Sequence, residues 1–163
     1  MVKRFLLAIS LFTLFAISMA ACSNESTPPS DLLLDSNDFP EMNITEISRG
    51  VGSTDSERPA VQVELRANGF TILESLVVFE NKDLALSILT SIKQDQTGQG
   101  VGSVPVEGFD DNSGVMVEHL DDDEKSTVFF VEGRVLVRIT VSGEEAIESI
   151  WEIASRAREK SEG

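Results

Sequence analysis

Three groups of residues in this 163-residue chain have types and spacings that could do chemistry. They are a lone cysteine, Cys22; a lone histidine, His119, followed by Asp121, Asp122, Asp123 and Glu124; and the glycine-bearing run Gly98-Gln99-Gly100-Val101-Gly102-Ser103. A single thiol cannot close an internal disulfide, so it needs another role. His119 beside carboxylates, or with Ser113 or Ser126, would supply a general base and a nucleophile for hydrolysis. That pairing rests on sequence proximity alone, and the chain has no G-x-S-x-G. The acids of "HLDDDEK" and of "GFDDNSG", with Asp110, Asp111 and Asn112, could hold Ca²⁺. Neither stretch has the alternating ligands, central glycine and late glutamate of an EF-hand loop, so each is read as a solvated turn. "DSNDFPE" is read the same way. The glycine run lacks the lysine and the following helix of a phosphate-binding loop, which makes it a connector. No residue set calls for a cofactor or a metal. With no tyrosine and one tryptophan there is little aromatic platform for a sugar, and Trp151 falls on an apolar helical stripe, hence in the core.

The chemistry expected of Cys22 follows from what precedes it. Lys3 and Arg4 form a short positive region, and Phe5 to Ala21 is apolar apart from Ser10, Thr13 and Ser18. That length suits a signal-peptide core better than a membrane span, and no basic cluster follows to stop transfer. Met19-Ala20-Ala21-Cys22 resembles the lipobox of bacterial lipoproteins, with Met19 where leucine is usual. The resemblance implies cleavage before Cys22 and acylation of its sulfur with a diacylglyceryl group. Ser23, which is not Asp, implies that outer-membrane sorting is permitted in a two-membrane envelope. Two other readings compete: a secretory leader cut after Ala20, and an uncleaved N-terminal helix. Two or three acyl chains would hold the protein stably, since each buried methylene contributes about 0.8 kcal/mol.

Charge narrows the partners. The chain carries 28 acidic and 13 basic residues, a net charge of −15. Loss of residues 1–21 removes Lys3 and Arg4 and no acid, which takes the net charge to −17. So acidic a domain repels nucleic acid and anionic headgroups. The expected partners are the membrane, through the lipid, and an unidentified protein or small molecule, with no nucleic acid. The expected organisation is a signal peptide over 1–21, an acylated cysteine and flexible tether over 22–30, and one globular domain over 31–163.

The elements that would position these residues follow from periodicity. Leu32, Leu33 and Leu34 sit in a short turn that Ser30 caps and Pro40 ends. "MNITEI" is a strand and "RGVGSTDSERP" a loop. "AVQVELRA" alternates Val61, Val63 and Leu65 against Gln62, Glu64 and Arg66, a half-buried strand. Asn68-Gly69 turns it into "FTILESLVVFE". Leu84, Ala85, Ile88, Leu89 and Ile92 form a helical stripe. Strands follow at "GVMVEHL", "STVFFVE" and "RVLVRITV", with a turn at Glu132-Gly133. A capping box from Ser142-Gly143-Glu144-Glu145 starts a last helix with Ile147, Ile150, Trp151, Ile153, Ala154 and Ala157 inward. Val135, Val137 and Ile139 should face that helix. "GVGS" at 50–53 and 100–103 hints at a doubled unit. Hairpins with helices make an α+β fold, an antiparallel sheet packed by helices.

The order "DLLL…DFP", strand pair, helix, "VPVEGFDDNSG", "VFFVEGRVLVRITV", closing helix resembles the extracellular sensor domains of actinobacterial serine/threonine kinases and related lipoproteins. The broader fold resembles the PsbP-like sandwich. Those sensor domains carry disulfides and this chain has none to make, and no functional residue carries across. The resemblance implies a membrane-anchored, extracytoplasmic, non-catalytic module that binds a ligand or protein, sitting at the plasma or outer membrane. The alternatives are an envelope hydrolase using carboxylates near His119 and a structural subunit of an envelope complex.

Overall fold

The computed structural model describes residues 27–52, 60–67, 69–98, 109, 113–120, 123–143 and 146–162, with backbone only for 96–98, 114–120, 123–124 and 146–148. Two 3-10 turns, Pro29–Leu32 and Ser36–Asp38, lead into β1 (Thr45–Gly52), β2 (Ala60–Ala67) and β3 (Phe70–Val78). Helix α1 (Lys82–Gly98) follows, then β4 (Ser113–Leu120), β5 (Asp123–Glu132), β6 (Val135–Gly143) and α2 (Ala146–Ser161). The six strands form one sheet in the order β1-β2-β3-β6-β5-β4. Every neighbouring pair is antiparallel. The chain therefore runs two three-strand meanders, each followed by a helix, joined edge to edge at β3 and β6. The fold is α+β, as expected, and the repeated strand–helix order is the doubling at which the sequence hints.

Short-range chemistry explains the turns. Ala67 pairs with Phe70, so only two residues link the first hairpin, and the second of them, Gly69, stands at φ 91°. The second tight turn is Gly133-Arg134 rather than Glu132-Gly133, because Glu132 still pairs with Val135. Gly133 takes the left-handed φ of 54° that this turn requires. Ser142 and Gly143 do not turn into the last helix. They extend β6, opposite Thr71 and Phe70. Gly143 has φ 133°, and a Cβ there would collide with the carbonyl of Gly69, so only glycine lets the hairpin tip and the end of β6 meet. β1 is longer than "MNITEI" suggests. Arg49 to Gly52 pair with Val63 to Ala60, past an irregularity between Glu46 and Ser48 where the register shifts by one residue. Asn81 starts α1, its side chain accepting the Leu84 amide at 2.9 Å.

Alternation along β6 divides the core into two faces. Val135, Val137, Ile139 and Val141 bury themselves with Ile150, Ile153, Ala154 and Ala157 of α2, while Leu136 turns to the other side. There Leu136 packs with Phe129, Val131, Phe79, and Ala85 and Leu89 of α1. Both helices lie over β5 and β6, on opposite faces. The β2–β3 half of the first face is covered instead by the N-terminal strap. Leu32, Leu33, Leu34, Phe39 and Ile44 pack there with Val63, Leu65, Ile72 and Leu76. Arg138, on the same side of β6 as Leu136, is exposed.

The stripe of α2 overturns the expectation for Trp151, which is 40 % exposed. Its buried line runs Ile150, Ile153, Ala154, Ala157. Trp151 is one residue, about 100° around the helix, from Ile150, so it lies on the shoulder of that line. The two alanines let α2 sit close to the sheet, and a tryptophan does not fit beneath. Ile88 of α1 is likewise 38 % exposed rather than buried. Ile147 belongs to the residues described by backbone only.

Candidate functional site

The polar residues that the fold brings together lie where the N-terminal strap crosses the sheet. The strap's second turn closes a reciprocal cap. The Asp35 carboxylate accepts the Asn37 amide at 2.7 Å, and the Asp38 carboxylate accepts the Asp35 amide at 2.7 Å. This arrangement aims both carboxylates at α2. Lys160, in the last turn of that helix, places its Nζ 2.9 Å from Asp35 and 2.6 Å from Asp38. The hydrogen bond from Lys160 holds the Asp35 carboxyl below the usual carboxylate range, against the opposing effect of burial. Burial alone would depress Lys160, but its bonds to Asp38 and Asp35 carry it above an ordinary lysine.

Two arginines complete the fastening. Arg156 of α2 donates to the Asp38 carbonyl, to Glu41 and, at 2.6 Å, to Glu152. Its guanidinium also lies over the Phe39 ring, 5.1 Å from the centroid, so the strap's buried aromatic is clamped from above. From the other side, Arg49 of β1 donates to the Ser30 carbonyl at 3.0 Å and the Leu34 carbonyl at 2.7 Å. Glu46 pairs with the same guanidinium at 2.8 Å and raises it above the ordinary arginine value. An open cleft of about 500 Å³ remains at this seam, lined by Asp38, Arg156, Glu159 and Lys160.

Beneath the strap is Glu74, with no exposed surface. It sits on β3 between Val63 of β2 and Ile139 of β6, in the middle of the sheet. One carboxyl oxygen, Oε2, accepts the Leu34 amide at 2.7 Å. The other, Oε1, has no hydrogen-bond partner among the described residues. Burial pushes this carboxyl up to about 7; the Leu34 amide, Lys160 and Arg49 oppose the rise and Asp38 adds to it. Burial prevails because the nearby cations are already committed to other acceptors. A carboxyl that titrates near neutrality inside an apolar core is the least ordinary ionisable group of the described fold.

The residues singled out by sequence fall elsewhere. Cys22 lies outside the described residues, as do Asp110, Asp111, Asn112, Asp121 and Asp122. His119 is in β4, in register opposite Glu124. Ser113 is six positions along the same strand, roughly 20 Å away at strand rise, too far to share a proton with it. Ser126 pairs with Val117 and is buried, in a strand interior. Asp123 and Glu124 belong to β5 rather than to the turn. No group of three or more metal-ligating side chains occurs among the described residues. "DSNDFPE" is not a solvated acidic stretch, since Asp35 and Asp38 are ion-paired and Phe39 is core. Sequence reasoning misses Glu74 although its signal is plain. In Phe70-Ile72-Glu74-Leu76-Val78 it stands on the apolar side of a period-two strand.

Comparison with known proteins bears on the fold. No protein-family model matches the chain, and no curated protein matches it. Among solved structures, the chain is similar to the extracellular domain of PknH from Mycobacterium tuberculosis, with a TM-score of 0.60 at 12 % identity. The match covers 80 % of this chain and 92 % of that domain. At that identity the likeness is one of architecture: this chain has the fold of that extracellular domain.

Proposed function

We propose that this protein is an extracytoplasmic, non-catalytic binding module, tethered to the membrane by lipid on Cys22. The observation that carries the reading is the architecture shared with an extracellular domain. The apolar run over 5–21, directly before Cys22, resembles an export leader and supports the anchor. The chemistry of the seam favours the same conclusion. Arg49, Arg156 and Lys160 each engage carboxylates or carbonyls of the strap, which is a fastening role. No described helix is long and apolar enough to cross a membrane. In this reading attachment falls to the acyl chains on Cys22. The work of the module would be to hold a ligand or protein partner at the envelope. Its acidity would keep the domain clear of anionic headgroups while the lipid keeps it near them.

Replacing Cys22 with Ser should move the protein from the membrane fraction to the soluble extracytoplasmic fraction. Retention of the Cys22→Ser protein in membranes after a high-salt wash would refute the anchor.

A further inference from the structure

Glu74 is the one charged-type side chain in the described core that no ion pair holds, and its position suggests a use. Its Oε2 is bonded to the backbone of Leu34, the last of three consecutive buried leucines in the strap. Its Oε1 is enclosed without a partner among the described residues. We propose that Glu74 is a pH-sensitive latch: with a proton on its carboxyl the N-terminal strap stays seated on the sheet, and with the proton lost the strap lifts at Leu34 to admit water to the carboxylate. The latch is independent of the lipid anchor, because every group it uses lies between Pro29 and Lys160.

A negative charge at this point can be accommodated in two ways. The first is an ion pair in place. Three charged groups surround Glu74: Arg49 from β1, Lys160 from α2 and Asp38 from the second 3-10 turn. Arg49 is occupied by Glu46 and by the Ser30 and Leu34 carbonyls. Lys160 is occupied by Asp35 and Asp38. Asp38 repels. The strands on either side contribute Val63 and Ile139, which are apolar and fully buried. Moving either cation to Glu74 would break contacts that hold the strap, so an ion pair formed there also loosens it. The second way is hydration. The only described cover over Glu74 that is not a strand or a long helix is the strap, whose first turn touches β2, β3 and α2. Both routes therefore act on the same segment. A neutral carboxyl needs neither, and its Oε2 can still accept the Leu34 amide.

The seam is built to make this element separable. Its surface fastenings are ion pairs that are partly exposed, with Lys160 at 21 % and Arg156 at 26 % side-chain exposure. Such pairs hold weakly compared with buried apolar contacts. The carboxyl titrates near 7 when seated against an ordinary 4.5, so the strap's opening equilibrium should follow pH between those values.

The test is amide hydrogen exchange on the full chain in detergent, with rates corrected for the intrinsic effect of pH. Protection across residues 31–39 should fall roughly 30-fold between pH 5.5 and 8.5, the change that a rise from an ordinary 4.5 to about 7 dictates. Protection of β6, residues 135–141, should change much less. In Glu74→Gln the strap should lose this pH dependence. Three results would overturn the latch: strap protection that is flat with pH, the same fall in Glu74→Gln, or a parallel fall in β6. Should Glu74→Gln fail to fold, ¹³C NMR of the wild-type carboxyl decides. A midpoint near neutrality that coincides with the loss of strap protection supports the latch, and an ordinary glutamate midpoint overturns it.

Discussion

Phe130→Ala is expected to cost about 3–5 kcal/mol, enough to unfold a large fraction of a domain whose whole stability is on the order of 5–15 kcal/mol. Phe130 is 1 % exposed and sits on β5, next to the central pair of strands. It belongs to the cluster that α2 closes, and its ring meets Phe109 at a centroid separation of 5.1 Å, tilted by 55°. Arg158 of α2 lies over the outer ring, 4.9 Å from the Phe109 centroid, so the side chain is enclosed from strand to helix. Truncation leaves a cavity that neither the hydrogen-bonded strand nor the helix can move to fill. Trp151→Ala supplies the contrast. That residue is larger but stands on the surface, and its removal should change stability by less than about 1 kcal/mol. Urea unfolding of both variants measures the difference. Equal midpoints would mean that α2 packs through Trp151 after all.

The second large effect concerns pH. Glu74 is raised in the folded state, so its contribution to stability is fully present below its unfolded value and is lost as pH rises through its folded value. The unfolding free energy should therefore decrease by up to about 3 kcal/mol between pH 4.5 and 8.5, at about 1.4 kcal/mol for each tenfold change in proton affinity. A strap that lifts first limits the fall to the free energy of lifting. Asp35 works in the opposite sense and in another window. Its carboxyl is lowered by Lys160, so its contribution is present above the ordinary aspartate value and disappears as pH drops through the folded one. Stability should then pass through a maximum in mildly acid solution. Glu74→Gln should flatten the decline above pH 5 and leave the acid side unchanged. A wild-type curve level from pH 5 to 8 would show that Glu74 is not buried as a neutral acid.

How much of the fold is written in the chain differs by element. Period-two alternation in β2 and β3 is strong, because each strand has one face against a core and a tight turn to set its register, and β6, buried on both faces, still puts its β-branched apolar residues on one of them. The faces of Val135, Val137 and Ile139 follow directly. Only half of β1 is legible, because Gly50 and Gly52 argue locally for a loop, while an edge strand tolerates glycine when its partner supplies the order. Trp151 is misplaced by periodicity because a helical stripe fixes a direction and not its width. The alanines at 154 and 157 are the sign that this interface is too close for a large ring. The seam is the least legible part. Asp35 and Asp38 stand 125 and 122 residues from Lys160 along the chain, and nothing local distinguishes them from solvated charges. Glu74 is legible by strand parity. It escapes notice because one acid in an apolar row reads easily as part of a strongly acidic composition.

The lipid anchor is central to the proposed function, and the intact mass of the protein extracted from membranes tests it most directly. The expected species is residues 22–163 carrying a diacylglyceryl group on Cys22, with the added mass localised to the N-terminal peptide and absent in Cys22→Ser. An unmodified chain beginning at Met1 or at Ala21 would contradict it.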